Sequence, residues 1–213
     1  LKELIVRTTH DDLVNNDFKL TKDKKIKIQV GIIPVSDRAS TGHYDDLGGP
    51  LLKEAVDGHG WAVLAEALVP DDKEQIQRAI REHIARGAHL ILTTGGTGVA
   101  PRDVTPEAVN EIADRQLPGF GEVMRMESMK ITQNAILSRN LAVAVGSALV
   151  ICLPGKPKGA VECLGFVEGA VPHCVEVLGA FPPFGDPLPG ECAILDFFED
   201  FPHLFTGLLI DHP

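Results

Sequence analysis

The sequence predicts a three-layer α/β/α domain built on a mostly parallel sheet with an added β-hairpin, and three patterns in its 213 residues carry that expectation. Short, continuously apolar runs such as Gly31-Ile32-Ile33-Pro34-Val35 and Leu90-Ile91-Leu92 suit strands covered on both faces. Stretches with helical spacing alternate with these runs, as parallel strands joined by helical crossovers require. Near the end of the pattern, Gly146-Ser147 separates two β-prone segments by the two residues of a tight hairpin.

Residues 1–25 are charged and poorly patterned, ending in Lys22-Asp23-Lys24-Lys25, and read as an extension ahead of a domain spanning 26–180. The first strand starts at Ile26, and two more are expected at about Ala62 to Val69 and Ala88 to Thr94. Between these two, Asp71-Asp72-Lys73-Glu74 has the form of a capping box. Ile76, Ala79, Ile80, His83 and Ile84 then recur at helical spacing until Gly87 ends the run. Thr105-Pro106-Glu107 starts another helix, with threonine suited to the N-cap and proline to the first helical position. The hairpin spans Leu141 to Val145 and Ala148 to Leu153, and a final helix covers about Lys158 to Leu178, kinked or divided at Pro172. Beyond Gly179 the run Phe181-Pro182-Pro183-Phe184-Gly185-Asp186-Pro187 excludes regular structure, so 181–213 reads as a Pro-rich linker and tail. The Phe- and Leu-rich part of that tail, Cys192 to His212, is expected to pack on this subunit or a neighbour.

Composition removes several classes of function. Hydrophobic residues make up 44% of the chain but are interleaved with charge, and no apolar run approaches the ~20 residues of a membrane span, so no membrane is expected. A formal net charge of -10 argues against nucleic acid as partner, although a small anion remains compatible if the few cations converge. Cys152, Cys163, Cys174 and Cys192 form no Cys-x-x-Cys pair, and they read as reduced, mostly buried thiols of a cytoplasmic protein. The eight histidines show no H-E-x-x-H arrangement and read as surface or packing residues.

In open parallel sheets ligands bind beyond the carboxyl ends of the strands. Four polar loops fall there: Ser36-Asp37-Arg38, Pro70-Asp71, Gly95-Gly96-Thr97-Gly98 with Arg102 and Asp103, and Pro154-Gly155-Lys156-Pro157-Lys158. The glycine loop matches neither the P-loop nor Gly-x-Gly-x-x-Gly, but its missing side chains let backbone N–H groups approach a phosphate. Two separated acids, Asp71 and Asp103, facing such a cradle point to metal-assisted phosphoryl or nucleotidyl transfer, because Mg²⁺ is held by one or two carboxylates plus phosphate oxygens. Each residue also has a bland reading. Asp71 suits an N-cap, Asp37 a pair with Arg38, Lys156 and Lys158 a solvated surface, and Leu137-Ser138-Arg139 a simple loop.

Taken with Leu117-Pro118-Gly119-Phe120-Gly121-Glu122, Ala135-Ile136-Leu137-Ser138-Arg139 and Pro101 to Glu107, these motifs resemble the molybdopterin adenylyltransferase family from Ile28 to about Leu178. That family comprises the MogA-type bacterial proteins and the related G domains of gephyrin and its plant counterpart. The resemblance implies the molybdopterin-binding fold and transfer of AMP from Mg-ATP to the terminal phosphate of molybdopterin, releasing pyrophosphate ahead of molybdate insertion. It further implies that Asp71 and Asp103 are the catalytic pair and hold Mg²⁺, and that Gly95, Gly96, Thr97, Gly98, Pro154 and Gly155 surround the nucleotide. By the same route Ser36, Asp37, Ser138 and Arg139 face the pterin, and Lys156 and Lys158 neutralise phosphate. A homotrimer and a downstream molybdate-insertion partner are implied too. The chain departs from many relatives at Asp45-Asp46-Leu47-Gly48-Gly49, where they carry serine or lysine before the glycine. Competing readings are a non-catalytic pterin-binding or scaffold module, a tungsten-pathway sibling, and a kinase-like nucleotide hydrolase, against which the missing P-loop lysine counts.

Overall fold

The computed structural model describes residues 27–40 and 48–180. The expected extension at 1–25, the linker and tail at 181–213 with Cys192, and Asp45, Asp46 and Leu47 of the departing loop lie outside the described residues.

Six strands form one sheet: β1 (Gln29–Pro34), β2 (Ala62–Glu66), β3 (Leu90–Thr94), β4 (Arg115–Gln116), β5 (Ala142–Val145) and β6 (Ala148–Leu153), in the order β2-β1-β3-β6-β5-β4. β2, β1, β3 and β6 are mutually parallel, while β5 runs antiparallel to β6 and β4 antiparallel to β5. The expected hairpin is present, turning on Gly146 at φ +58. Its second strand does more than extend the sheet: β6 pairs with β3 from Leu90↔Leu149 to Thr94↔Leu153 and is buried throughout. β2 is shorter than Ala62 to Val69. As an edge strand it leaves the ladder after Glu66, and only an isolated bridge from Val35 to Val69 recovers the pairing.

The helices are a single turn α1 (Asp37–Ser40), α2 (Gly48–Gly58), α3 (Lys73–Ala85), α4 (Thr105–Asn110), α5 (Pro118–Met129), α6 (Pro157–Val167) and α7 (Val171–Val177). α3 and α4 pack together on one face, where Ile76, Ala79, Ile80, Ala108 and Val109 join Ile33, Ile91, Val150 and Cys152 in one buried cluster. On the other face α2 and α5 both pack against α6. The long helix expected from Lys158 to Leu178 is divided into α6, a 3₁₀ turn at Glu168–Ala170 and α7. Pro172 falls in the first turn of α7, where its missing N–H leaves no bond unmade.

α3 settles the reading of its acidic start. Asp72, not Asp71, is the N-cap, accepting the Gln75 N–H at 3.0 Å. The helix expected after a Thr105 cap begins at Thr105 itself: Val104 is the N-cap, and the Thr105 hydroxyl instead donates to the Gly95 carbonyl. Both shifts release a side chain for the loop region.

His83, on the inner face of α3, is 2% exposed and its Nδ1 lies 2.8 Å from the Ala79 carbonyl. It fits because Gly31 on β1 lacks a side chain; a Cβ there would come within 2.5 Å of His83 Cδ2. Burial pushes His83 below the ordinary histidine value of 6.5, and His89 likewise. The unfolded chain therefore takes up protons near 6.5 that the folded chain does not, so this stability is complete above that pH and is lost as pH falls through it. Urea unfolding at a series of pH values from neutral to mildly acidic is expected to show that decline, and His83→Gln to flatten it; an unchanged slope refutes the assignment.

Candidate active site

The carboxyl ends of the parallel strands are stitched into one rim. Val35 N–H donates to the Thr94 carbonyl at 2.8 Å, Ser36 N–H to Val69 at 2.9 Å, and the Thr94 hydroxyl to Pro154 at 2.8 Å. Connections leave β1 and β3 toward opposite faces here, which opens a crevice at the switch point of such sheets. Gly95 makes the closest approach, at φ +107, where an added Cβ would sit 2.2 Å from the Val35 carbonyl oxygen and where Gly155 packs against its Cα.

Two carboxylates flank the turn that follows. A Cβ on Gly96 would lie 2.9 Å from Asp71 Oδ1, and one on Gly98 would lie 2.8 Å from Asp103 Oδ2. Asp103 is held by the Ala100 N–H at 2.9 Å, while Asp71 and Asp37 exchange backbone hydrogen bonds: Asp37 N–H donates to Asp71 Oδ2 at 3.0 Å and Asp71 N–H to Asp37 Oδ1 at 3.1 Å. Arg102 ion-pairs with Asp37 and holds that carboxyl below the usual aspartate range. Asp71 moves the other way: burial raises its pKa, with Asp37 and Asp103 as added negative neighbours. The N–H groups of Gly96, Thr97 and Gly98 donate to no acceptor among the described residues. A turn of unengaged N–H groups between two acids can hold an oxyanion on one side and a cation bridging to it on the other.

Beyond Gly98 a cavity of about 580 Å³ is lined by Thr97, Gly98, Ser138, Asn140, Pro154, Lys156 and Lys158, with Arg125, Ser128 and Cys163 among its other walls. Ser138 Oγ and Asn140 Oδ1 are buried there without a hydrogen-bond partner among the described residues. Such unpaired polar atoms are rare, and they suit a ligand that brings its own donors and acceptors. Burial raises Cys163 and, in the core, pushes Cys152 up to about 12, which favours the thiol over the nucleophilic thiolate at both.

The rim thus divides the expected residues. Ser36, Asp37, Asp71, Asp103 and Gly96 cluster around the acids, and Ser138, Pro154, Lys156 and Lys158 surround the cavity, with Thr97 and Gly98 on the way between. Gly155 packs beneath, against Gly95. Ser36 also caps α1 by accepting from Ala39 N–H at 3.3 Å. Arg139 stands apart: it does not line the cavity, and its guanidinium is directed to Gly98, Asp103 and Glu107. Sequence reasoning passed over Asn140, Arg125 and Cys163 because no local pattern marks them; α5 and α6 bring them together.

The family described as "Probable molybdopterin binding domain" matches residues 31–173. The chain is 42% identical over 154 residues to the molybdopterin adenylyltransferase of Helicobacter pylori, covering 71% of this chain and 88% of that protein. It is 40% identical over 172 residues to the enzyme of the same name from Escherichia coli, covering 71% and 85%. Among solved structures, the molybdopterin biosynthesis enzyme MoaB of Thermus thermophilus superposes with a TM-score of 0.68 at 42% identity, over 73% of this chain and 98% of that one.

Gly96, at φ +60, tests the turn. Gly96→Ala would bring a Cβ within 2.3 Å of the Thr105 hydroxyl and is expected to destabilise by about 2–3 kcal/mol. Gly119→Ala, with open space around it, is expected to stay within about 0.5 kcal/mol in the same denaturant titration.

Proposed function

From its membership of the molybdopterin-binding domain family, to which the chain belongs, we infer that this protein adenylylates molybdopterin, taking AMP from ATP and releasing pyrophosphate. The observation that carries the reading is the Gly96–Gly98 turn, whose N–H groups meet no acceptor among the described residues and lie between the Asp71/Asp103 pair and the cavity, where Ser138, Lys156 and Lys158 interrupt a largely apolar lining. Such an arrangement suits a phosphate chain and a second substrate lying side by side on one rim.

The reaction joins two anions, so its barrier is chiefly one of positioning and charge neutralisation. Gly95, Gly96, Thr97, Gly98, Pro154 and Gly155 are assigned to the nucleotide. Ser138, Lys156 and Lys158 are assigned to the pterin phosphate side, with the unpaired Ser138 Oγ and Asn140 Oδ1 available to the heterocycle. Lys156 and Lys158 stand at the start of α6, where the first peptide N–H groups add to their charge. Ser36 and Asp37 support the acid side, Asp37 by orienting Asp71.

Mg²⁺ suits this donor set. Asp71 Oδ1 and Asp103 Oδ1 accept no hydrogen bond from the described residues, and two hard oxygen donors near a phosphate cradle are what Mg²⁺ takes from a protein. Among the described residues no three acidic, histidine or cysteine side chains are placed to hold a metal ion by themselves, so phosphate and water would complete the shell. When bound, the ion would neutralise the reacting phosphates. Homotrimeric assembly, hand-over to a molybdate-insertion protein and a cytoplasmic setting belong to this proposal and rest on the resemblance. Among the described residues no helix is long and apolar enough to cross a membrane.

With radiolabelled ATP and molybdopterin, the chain is expected to release pyrophosphate, and Asp71→Ala and Asp103→Asn each to slow release about a hundredfold or more. Binding of both substrates without release identifies a scaffold instead. Because burial raises the Asp71 carboxyl in the metal-free protein, Mg²⁺ affinity is expected to fall on the acid side while pH is still above the ordinary aspartate value of 3.8, as protons compete with the ion for the carboxylate. A profile flat down to that value refutes the role of Asp71.

A further inference from the structure

We propose that Arg139 is a positioning residue that holds Asp103 in place, rather than a contact to the pterin; this rests on the reading of Asp103 as a carboxylate for the metal-bound nucleotide. The backbone at Ser138 is extended (φ -75, ψ 130), so successive side chains point to opposite sides. Ser138 and Asn140 line the cavity, and Arg139 between them turns away from it into the loop that carries Asp103.

There it binds both ends of that loop. Nε donates to the Gly98 carbonyl at 2.6 Å, Nη2 donates to the Asp103 carbonyl at 2.5 Å, and Nη1 ion-pairs with Glu107 on α4. Its own N–H donates to Thr97 at 2.9 Å. Within the loop, Asp103 N–H returns to Ala100 at 2.9 Å, and Asp103 Oδ2 accepts from Ala100 N–H. The segment from Gly98 to Asp103 is therefore a small turn whose two ends are bridged by one planar guanidinium. Three differently directed donors in a fixed plane define the turn's orientation as well as its presence. A lysine, with one ammonium on a flexible stem, cannot span the same three acceptors. Glu107 completes the clamp by fixing the guanidinium from the α4 side, which links the catalytic turn to a helix anchored on the sheet through Ala108 and Val109.

The test compares the parent with Arg139→Lys, Arg139→Ala and Glu107→Gln. Adenylylation kinetics are combined with Mn²⁺·ADP binding followed by electron paramagnetic resonance, which needs no turnover. Expected for Arg139→Lys are a kcat about 30- to 100-fold lower, a KM for molybdopterin unchanged within about twofold, and Mn²⁺·ADP affinity about tenfold weaker. Added guanidinium is expected to restore part of the kcat of Arg139→Ala, and Glu107→Gln to shift the same parameters in the same direction by less. A raised KM for molybdopterin with unchanged Mn²⁺·ADP affinity overturns the proposal in favour of substrate contact. Should neither arginine variant fold, Glu107→Gln decides: unchanged kcat and metal–nucleotide affinity overturn the proposal, a parallel drop supports it. A parent that binds Mn²⁺·ADP but releases no pyrophosphate refutes the adenylylation reading, while the binding arm still judges Arg139.

Discussion

The contact on which this structure depends is between backbones: Gly95, leaving β3, lies so close to the Val35 carbonyl at the end of β1 that no side chain fits between them. Two parallel strands that are neighbours throughout their length remain neighbours one residue beyond it, with Val35 N–H still bonded to Thr94. The same glycine touches Gly155 after β6 and gives its carbonyl to Thr105 on α4. Loops that would otherwise diverge at the sheet rim are thereby gathered around one point. Because backbone–backbone contacts have none of the rotamer freedom of side chains, the acids and N–H groups they carry inherit that rigidity.

Charge then divides the rim into two environments. A chain of net charge -10 must attract polyanionic substrates locally against its overall field. The cations on the cavity side are Arg125, Lys156 and Lys158, the last paired with Glu162. The acid side does the opposite, grouping Asp37, Asp71 and Asp103 within electrostatic reach of one another, with burial and mutual repulsion raising Asp71. Such a cluster repels an anionic ligand unless a cation stands between them. Arg102 on Asp37 offsets part of this repulsion in the free protein.

Much of this was legible in the chain. The apolar runs of β1 and β3 marked a buried parallel sheet because strands covered on both faces cannot alternate with polar residues, whereas β6 read only as half of an added hairpin. Four loops at the strand ends held the candidate residues other than Ser138 and Arg139. α2, α5 and β4 escaped notice. Exposed Leu51 and the Met126 and Met129 side chains weaken the apolar stripes of the two helices, and a strand of two exposed residues has no periodicity to read. Asp71 and Thr105 each had a local role on offer, as caps, which neighbouring residues filled instead.

The sequence by itself determined which residue types meet at the rim, since strand ends, glycine turns and capping residues are set by local sterics and hydrogen bonding within a few positions. Only the tertiary structure decided what each does there. Ser138 and Arg139 are adjacent and equally polar, yet one faces a cavity and the other clamps a loop, because an extended backbone sends neighbours to opposite sides and the partners of each come from distant elements. Asn140 is tied to both α5 and α6, its carbonyl accepting from Arg125 and its Nδ2 donating to Cys163, partners that no local pattern brings together. Direction and partnership of a side chain are properties of packing, and packing is not local.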